Sequence, residues 1–291
     1  MKVLLWHVHG SWTHAFVQGG HDYLVVGPPD GKGLLGRDWP DAREVALAEA
    51  EPDVAVVQEV DQLDLVPPGV PVVYLEHNTP ARPNLDHPAA DRVGLIVHVT
   101  HFNDLMWDCG TTRTVVVEHG VVDPGPLYTG ELARAAVVVN EPVRRGRVVG
   151  TDLLPRFAEV APLDVFGMGT EQLPWGRGDH GLPALHRELA RRRVYVHPAR
   201  WTSLGLSLIE AMHLGMPVVV LACTEAVRAV PPGAGVLSTD LDELVRGVAE
   251  LVADPALARQ QGARAREFAL ERYGIDAFLG DWDRILAEVT G

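Results

Sequence analysis

The sequence predicts an α/β protein with two tandem domains, each built on a parallel β-sheet, followed by a helical C-terminal segment. Three observations lead to this fold class. Short β-branched runs recur with helix-like segments between them, several runs are apolar throughout, and a stretch dense in proline and glycine, Gly120–Gly130, divides the chain. Runs that are apolar throughout are typical of parallel strands covered on both faces.

The first half of the chain contains six predicted strands and two predicted helices. Asp41–Glu51 has helical spacing, begins with an aspartate and is broken by Pro52, which predicts a helix. A second, shorter helix is predicted over His101–Asp108. The predicted strands are Lys2–His7, Tyr23–Val26, Val54–Val57, Val70–Leu75, Leu95–Val99 and Thr114–Glu118.

After the proline- and glycine-rich linker the alternation of strands and helices restarts, and the chain then ends in helices. We predict domains at 1–125 and 126–274, with the helix of 275–291 packing back toward the first domain. Ligands bind outside the carboxyl ends of parallel strands, so a central cleft between the domains is the expected site. The predicted strands are Ala135–Val139, Leu163–Phe166, Val194–His197 and Val218–Leu221; the helices are Asp152–Val160, Pro183–Arg191, Gly205–Leu214, Leu241–Ala253, Pro255–Tyr273 and Ile275–Val289.

Composition restricts the class of partner. The formal charge of −14 argues against nucleic acid or an anionic membrane, although local arginines can still hold a diphosphate. The two cysteines are too few for a disulfide framework, and we find neither a signal peptide nor a membrane-spanning run. We therefore expect a cytoplasmic protein. The thirteen histidines show no metal-ligand spacing, so we expect no metal.

The segment Val194–Leu221 carries the strongest functional signal. It reads VYVHPARWTSLGLSLIEAMHLGMPVVVL, a strand, a loop, a helix that begins near Leu204-Gly205, and a second strand. Free backbone N–H groups at a helix start favour phosphate, and Gly205 lets the chain approach a ligand closely. Glu210 could accept hydrogen bonds from two ribose hydroxyls. The alternative is that Glu210 faces solvent or caps a neighbouring element.

The run GLSLIEAMHLGMPVVV resembles the signature of the retaining glycosyltransferases of the two-domain GT-B fold, the group 1 or family 4-like enzymes related to glycogen and sucrose synthases. The resemblance continues through DLDELVRGVAELVADPALARQQGARAREFALERYG. Upstream, PDVAVV, PVVYLEHN and TVVVEHGVVDP are similar to strand ends of that family's first domain. The resemblance implies two Rossmann-like domains and an unusually short member of that family.

The resemblance also implies a donor site, with two departures from the family pattern. Family members usually carry two glutamates eight positions apart; this chain keeps the second as Glu210 and has Thr202 at the first. The family's glycine pair after the next strand is replaced by Ala222-Cys223-Thr224-Glu225. The implied donor- and nucleotide-binding residues are Gly10, Gly167, Gly169, Thr202, Ser203, Leu204, Gly205, Leu206 and Glu210.

Two arginines are candidates to hold the diphosphate. Arg145-Gly146 fits the family's Lys-Gly position, and Arg144 or Arg147 replaces the missing partner cation. Arginine pairs bidentately with phosphate oxygens. The alternative is a basic turn that only faces solvent.

In the first domain, His77 follows the fourth predicted strand and is a candidate to contact the sugar or the acceptor hydroxyl. A histidine can donate or accept a proton near neutral pH. The alternative is a histidine bonded to a backbone carbonyl. Trp6, Trp12 and Trp39 could stack on a sugar, or fill the core.

These features predict a glycosyltransferase that moves a sugar from a nucleoside diphosphate sugar to an acceptor hydroxyl, with retention, without a metal or other cofactor. Arg145, Arg144 and His77 are the candidate catalytic residues. The acceptor is a saccharide, a lipid-linked molecule or a small molecule, and a homodimer or a partner subunit could complete its pocket. Two alternatives stay open: a non-catalytic sugar-nucleotide-binding or scaffold protein, and a sugar-nucleotide epimerase. A phosphorylase that uses pyridoxal phosphate is disfavoured because the only lysines are Lys2 and Lys32.

Overall fold

The computed structural model describes residues 1–83 and 85–291. The chain divides into two compact units, one formed by Met1–Val122 with Ile275–Gly291 and the other by Asp123–Gly274. We call them unit 1 and unit 2. The domain limits predicted above, 1–125, 126–274 and 275–291, stay predictions.

Unit 1 contains a seven-stranded sheet in the order β3-β2-β1-β4-β5-β6-β7, in which every neighbouring pair is parallel. The strands are β1 Lys2–Leu5, β2 Asp22–Val26, β3 Ala42–Val45, β4 Val54–Val57, β5 Val72–Glu76, β6 Leu95–His98 and β7 Arg113–Val116. Its helices are α1 Gly10–Phe16, α2 His101–Met106 and α10 Ile275–Thr290, with 3-10 helices at Leu47–Glu49 and Val60–Leu65.

Unit 2 contains a six-stranded parallel sheet in the order β10-β9-β8-β11-β12-β13. The strands are β8 Leu132–Val138, β9 Leu163–Phe166, β10 Gly176–Gly178, β11 Arg192–His197, β12 Val218–Leu221 and β13 Gly235–Ser238. Its helices are α3 Pro142–Arg145, α4 Leu154–Ala158, α5 Leu182–Arg191, α6 Leu206–Leu214, α7 Ala226–Ala229, α8 Leu241–Ala253 and α9 Pro255–Arg272, with 3-10 helices at Gly146–Val149, Thr151–Leu153 and Thr170–Gln172.

The predicted fold class is confirmed: both sheets are parallel and flanked by helices, and the C-terminal segment is helical. Both strand orders follow the doubly wound pattern, in which the sheet grows in one direction from its first strand and then reverses. The limits of Val54–Val57, Leu163–Phe166, Val218–Leu221 and Leu241–Ala253 match the predictions residue for residue.

The helix predicted over Asp41–Glu51 is wrong. Ala42–Val45 is the edge strand β3, which pairs in parallel with β2, and Leu47–Glu49 is a 3-10 turn. Helical spacing alone did not reveal that β2 needs a partner on its outer edge, and pairing outweighs local helix propensity. Val45 and Leu47 pack against the unit 1 core from this position.

The aromatic core of unit 1 includes residues from both ends of the chain. Trp12 and Phe16 on α1 pack against Trp282 on α10, with ring centroids 5.6 and 4.9 Å apart. Phe278, also on α10, lies so close to Gly120 that a Cβ there would come within 2.4 Å of it. Helix α10 is therefore an integral part of unit 1.

A buried carboxylate joins four strands of unit 2. Asp164 on β9 is fully buried and pairs with Arg134 on β8, Arg177 on β10 and Arg192 on β11 at 2.7–2.9 Å. Burial opposes its ionisation, but hydrogen bonds from the three arginines lower the pKa of Asp164 to about 2. The charge is thus stabilised inside the sheet, where an unpaired carboxylate would be costly.

Candidate functional site

Each sheet reverses its strand order beside its first strand, between β1 and β4 in unit 1 and between β8 and β11 in unit 2. The carboxyl ends of such strand pairs are where ligands bind in open α/β sheets, because the connections leave on opposite faces and open a crevice. In unit 2 the two connections are residues 139–153 and 198–205.

The connection after β8 presents one arginine free of carboxylates. Arg144 donates to both Glu141 oxygens across one helical turn, and Arg147 pairs with Asp152 at 2.8 Å. Among the described residues, no carboxylate pairs with Arg145, which is partly buried. Burial lowers the pKa of Arg145, and the neighbouring Arg144 charge adds to this effect. An arginine pKa starts so high that the side chain stays cationic at neutral pH.

The connection after β11 is fixed to the connection after β8. The backbone N–H groups of Arg200 and Trp201 donate to the Val148 carbonyl oxygen at 2.9 and 3.2 Å, and Arg200 also pairs with Asp152. Gly150, at φ +77°, packs so closely on Pro198 that a Cβ would lie 2.1 Å from its carbonyl oxygen. Arg145 and the loop 201–205 are therefore held at the same edge of one sheet.

The predicted donor residues 202–206 form this loop and the start of α6. Thr202 is partly exposed, Ser203 and Leu204 are buried, and Leu206 is the first residue of α6. Gly205 precedes the helix, where a Cβ would come within 2.8 Å of the His197 ring. The Thr224 hydroxyl donates to the Ser203 carbonyl oxygen at 3.0 Å, so the Ala222–Glu225 segment supports the loop.

Glu210 lies inside unit 2 rather than on its surface. The side chain is 4% exposed, and its Oε2 lies 3.6 Å from Nε2 of His186 on α5, beyond normal hydrogen-bond distance. The solvent-facing alternative for Glu210 is therefore wrong. A buried carboxylate favours any ligand that donates hydrogen bonds to it.

Gly167 and Gly169 join the loop after β9 to the loop after β8. Gly167 has φ +120°, and a Cβ there would lie 2.4 Å from the Val139 carbonyl oxygen. The Asn140 side chain accepts from Met168 N at 3.0 Å, and Glu141 N donates to Met168 O at 2.7 Å. Asn140 is thus a structural residue of the site that the sequence analysis did not select.

In unit 1, His77 directly follows β5. Its hydrogen-bond partner is a side chain, whereas the alternative given above was a backbone carbonyl. Its Nε2 lies 2.9 Å from Oε1 of Gln58, the residue after β4. His9 and His119, from the ends of β1 and β7, have ring centroids 4.0 and 6.3 Å from those of His77. Burial lowers the pKa of His77 well below its ordinary value, that of His9 to about 4 and that of His119 to about 3.

We call His9, His77 and His119 the histidine cluster. The three histidines do not have metal-ligand spacing in the sequence. Among the described residues, no group of three or more histidine, cysteine or acidic side chains could hold a metal ion. No helix in the described part of the chain is long and apolar enough to cross a membrane.

Gly10 begins α1 without being sterically required there. A Cβ at Gly10 would meet only ordinary contacts, 3.7 Å from His7 and 3.9 Å from Arg37. Of the two alternatives for Trp6, Trp12 and Trp39, burial favours filling the core, because all three side chains are buried in unit 1.

Comparison with known proteins finds similar sequences and similar folds. Residues 177–268 match the sequence model of the family Glycosyl transferases group 1. An uncharacterized glycosyltransferase of Haemophilus influenzae is 30% identical over 97 residues, covering 32% of this chain. The match spans only 27% of that relative's length.

Solved structures extend the likeness over the whole chain. HepE of Anabaena, in complex with UDP-glucose, superposes with a TM-score of 0.75 at 16% identity, covering 99% of this chain and 100% of that one. Sucrose-phosphate synthase of Thermosynechococcus elongatus gives a TM-score of 0.74 at 14% identity, covering 99% of each chain. TarM of S. aureus gives 0.66 at 14% identity, covering 80% of this chain and 55% of TarM.

Two parallel sheets, each with one reversal of strand order, and the likeness to these structures show that the protein has the GT-B fold. Within it, residues 177–268, which contain Thr202 and Glu210, match the sequence model of the glycosyl transferases group 1 family. The resemblance noted in the sequence is confirmed.

Proposed function

We propose that the protein is a retaining glycosyltransferase that moves a sugar from a nucleoside diphosphate sugar to an acceptor hydroxyl without a metal ion. One observation carries the proposal most directly. Arg145, the arginine without a carboxylate partner in the loop after β8, lies in a loop hydrogen-bonded to the family's nucleotide-binding segment.

Arg145 would hold the diphosphate and stabilise the charge that develops as it leaves. An oriented, partly buried guanidinium is well suited to this, because its charge needs no reorganisation during the reaction. Backbone N–H groups of residues 204–207 would assist, with Gly167 and Gly169 allowing close approach. Arg144, whose guanidinium is occupied by Glu141, would contribute only if the diphosphate displaced that carboxylate.

Glu210 would bind the ribose. Two vicinal hydroxyls can supply the hydrogen bonds that His186 does not give at 3.6 Å. Thr202 and Ser203 would lie nearer the sugar, where a hydroxyl can hydrogen-bond but adds no charge. This predicts that the sugar is selected by hydroxyl contacts rather than by a carboxylate.

Retention rests on the resemblance to the retaining group. In the corresponding route the leaving phosphate takes the proton of the attacking hydroxyl on the same face of the sugar. His77 would hydrogen-bond a hydroxyl of the sugar or of the acceptor. The burial that lowers the pKa of His77 makes it a weak base, so the phosphate is the better proton acceptor.

The test is donor consumption measured with a panel of nucleoside diphosphate sugars, with and without hydroxyl acceptors, in the presence of a chelator. Transfer that requires an acceptor and continues with the chelator supports the proposal. Donor turnover without an acceptor would identify an epimerase or hydrolase. Calorimetric binding of a nucleoside diphosphate without any turnover would identify a binding or scaffold protein. The replacement of the family's first glutamate by Thr202 favours this alternative.

A further inference from the structure

The histidine cluster includes one imidazole whose protonation pattern is fixed by its neighbours. Gln58 lies between the Trp6 carbonyl oxygen and His77. Its Nε2 is 3.0 Å from Trp6 O, and its Oε1 is 2.9 Å from His77 Nε2. Both contacts are buried, so no solvent exchange competes with them.

The donors and acceptors allow one assignment. A backbone carbonyl can only accept, so the Gln58 group that faces Trp6 is the NH₂. The other end of the amide is then the carbonyl oxygen, which also only accepts. His77 Nε2 must therefore carry the hydrogen that joins it to Gln58.

The charge of the His77 ring decides whether Nδ1 carries a hydrogen. Burial, together with His9 and His119 nearby, holds the pKa of His77 well below neutrality, so the imidazole carries one hydrogen. Since that hydrogen is on Nε2, Nδ1 has a free lone pair. His77 then meets a ligand at Nδ1 as a hydrogen-bond acceptor.

Gln58 is itself held in place. Its backbone N–H donates to Gln62 Oε1 at 2.8 Å, and Gln62 lies in the 3-10 helix after β4. Gln58 directly follows β4, the neighbour of β1 at the strand reversal of unit 1. The amide is thus attached to rigid elements on both sides, which keeps it from rotating.

We propose that Gln58 is a positioning residue that locks His77 in the Nε2–H tautomer, so that His77 accepts a hydrogen bond at Nδ1 from a substrate hydroxyl. The tautomer is a property of the free protein. The hydrogen bond from a substrate hydroxyl rests on the proposed function. The tautomer itself excludes His77 Nδ1 as a hydrogen-bond donor.

The first test is nitrogen NMR of the histidine rings in the full-length protein, without ligand, between pH 6 and 8. We expect His77 to show a protonated Nε2 and an unprotonated Nδ1 across this range. In Gln58→Leu we expect a mixture of the two tautomers, and a loss of roughly tenfold in kcat/KM, the effect of one misdirected hydrogen bond. A protonated Nδ1 in the wild type overturns the proposal.

A second variant keeps the shape of the side chain. In Gln58→Glu one carboxyl oxygen still accepts from His77 Nε2, and the other, facing the Trp6 carbonyl oxygen, carries the proton that donates to it. We expect the Nε2–H form of His77 to persist in this variant. A protonated Nδ1 there also overturns the proposal.

Gln62→Leu is the matched control, because Gln62 supports the same loop without touching His77. We expect its His77 spectrum to remain that of the wild type, and a tautomer shift there would assign the effect to loop damage. The two proposals fail separately. Absence of sugar transfer with every donor removes the proposed function but leaves the tautomer measurement valid. Full transfer by Gln58→Leu, with mixed tautomers, removes only the substrate role.

Discussion

The two sheets share one strand order but carry different chemistry where that order reverses. In unit 2, the loop after β8 presents a guanidinium without a carboxylate partner, and α6 carries a buried carboxylate. In unit 1, the corresponding edge carries imidazoles whose pKa values burial lowers, that of His9 to about 4, that of His119 to about 3 and that of His77 well below its ordinary value. One edge offers charged side chains, and the other offers imidazoles that are neutral at pH 7.

Under the proposed function, this difference lets one topology serve two binding tasks. A fixed cation suits a diphosphate, whose charge persists through the reaction. A neutral imidazole suits hydroxyls, because it accepts a hydrogen bond without attracting anions. Under the proposed function, unit 2 would bind the nucleotide and unit 1 the hydroxyl groups.

The largest expected effect is a difference between the two units in how their stability falls with pH. His98 and His119 of unit 1 have pKa values lowered by burial to about 4 and 3. A lowered histidine pKa means that the unfolded chain binds more protons below pH 6.5, so stability falls as the pH drops toward the folded pKa. At pH 5 each should destabilise unit 1 by about 2 kcal/mol.

Unit 2 should lose less stability in mild acid, because burial lowers the pKa of only two histidines there, His197, to about 4, and His213. In unit 1 burial lowers the pKa of five histidines: His7, His9, His77, His98 and His119. The contribution of Asp164 to unit 2 is lost only between about pH 4 and 2. Five of the seven tryptophans are in unit 1, so fluorescence reports mainly on that unit, while far-UV circular dichroism reports on both. We expect fluorescence to change at higher pH than ellipticity. One coincident transition below pH 4 would contradict the comparison.

The next largest effect tests the charged edge. Arg145→Ala should lower kcat by about 100-fold or more, the scale seen when one preorganised donor is removed from a developing charge. Steady-state kinetics measure it, with the donor that the panel of nucleoside diphosphate sugars selects. Arg246→Ala, an exposed arginine in the middle of α8, is the control and should keep wild-type turnover. Unchanged turnover in the Arg145 variant would remove this residue from the mechanism.

A smaller effect tests Glu210 through the ligand rather than through activity. Wild-type protein should bind a nucleoside diphosphate roughly tenfold or more tightly than its 2′-deoxy analogue, because a hydrogen bond to a charged group is worth about 1.5–3 kcal/mol. Glu210→Gln should reduce this preference, which calorimetry with both ligands measures. If the variant discriminates as strongly as the wild type, Glu210 does not contact the ribose.

The smallest effect compares two glycines, Gly205, which precedes α6, and Gly10, which begins α1. Gly205→Ala places a Cβ 2.8 Å from the His197 ring and should destabilise unit 2 by about 1–3 kcal/mol. Gly10→Ala meets only ordinary contacts in unit 1 and should change stability by less than about 1 kcal/mol. Urea unfolding of both variants gives the difference, and equal losses would show that the two loops are packed alike.

Most of the fold could be predicted because buried parallel strands leave a direct signal. Val54–Val57 and Val218–Leu221 are apolar throughout, and their limits were predicted residue for residue. Two edge strands lack that signal: β3 reads AREV, and β10 is the glycine-flanked GRG. Their conformation depends on the strand beside them, which the local sequence does not encode.

The site could be predicted less completely. Arg145 and the loop 202–206 follow from position after a strand and from the family pattern. Which arginine is free depends on Glu141 and Asp152, and several pairings are compatible with that sequence. Gln58 gave no signal, because a glutamine at a strand end is unremarkable until His77, nineteen residues later, lies beside it.

The contribution of α10 to the core of unit 1 has a consequence for the order in which the protein is made. Residues 123–274 leave the ribosome between the first segment of unit 1 and the helix that completes it. At ordinary synthesis rates this interval lasts roughly 8–30 s. Trp12 and Phe16 lack their contact with Trp282 throughout, and every residue of unit 2 is made before the first residue of α10. The unit that is begun first is therefore finished last.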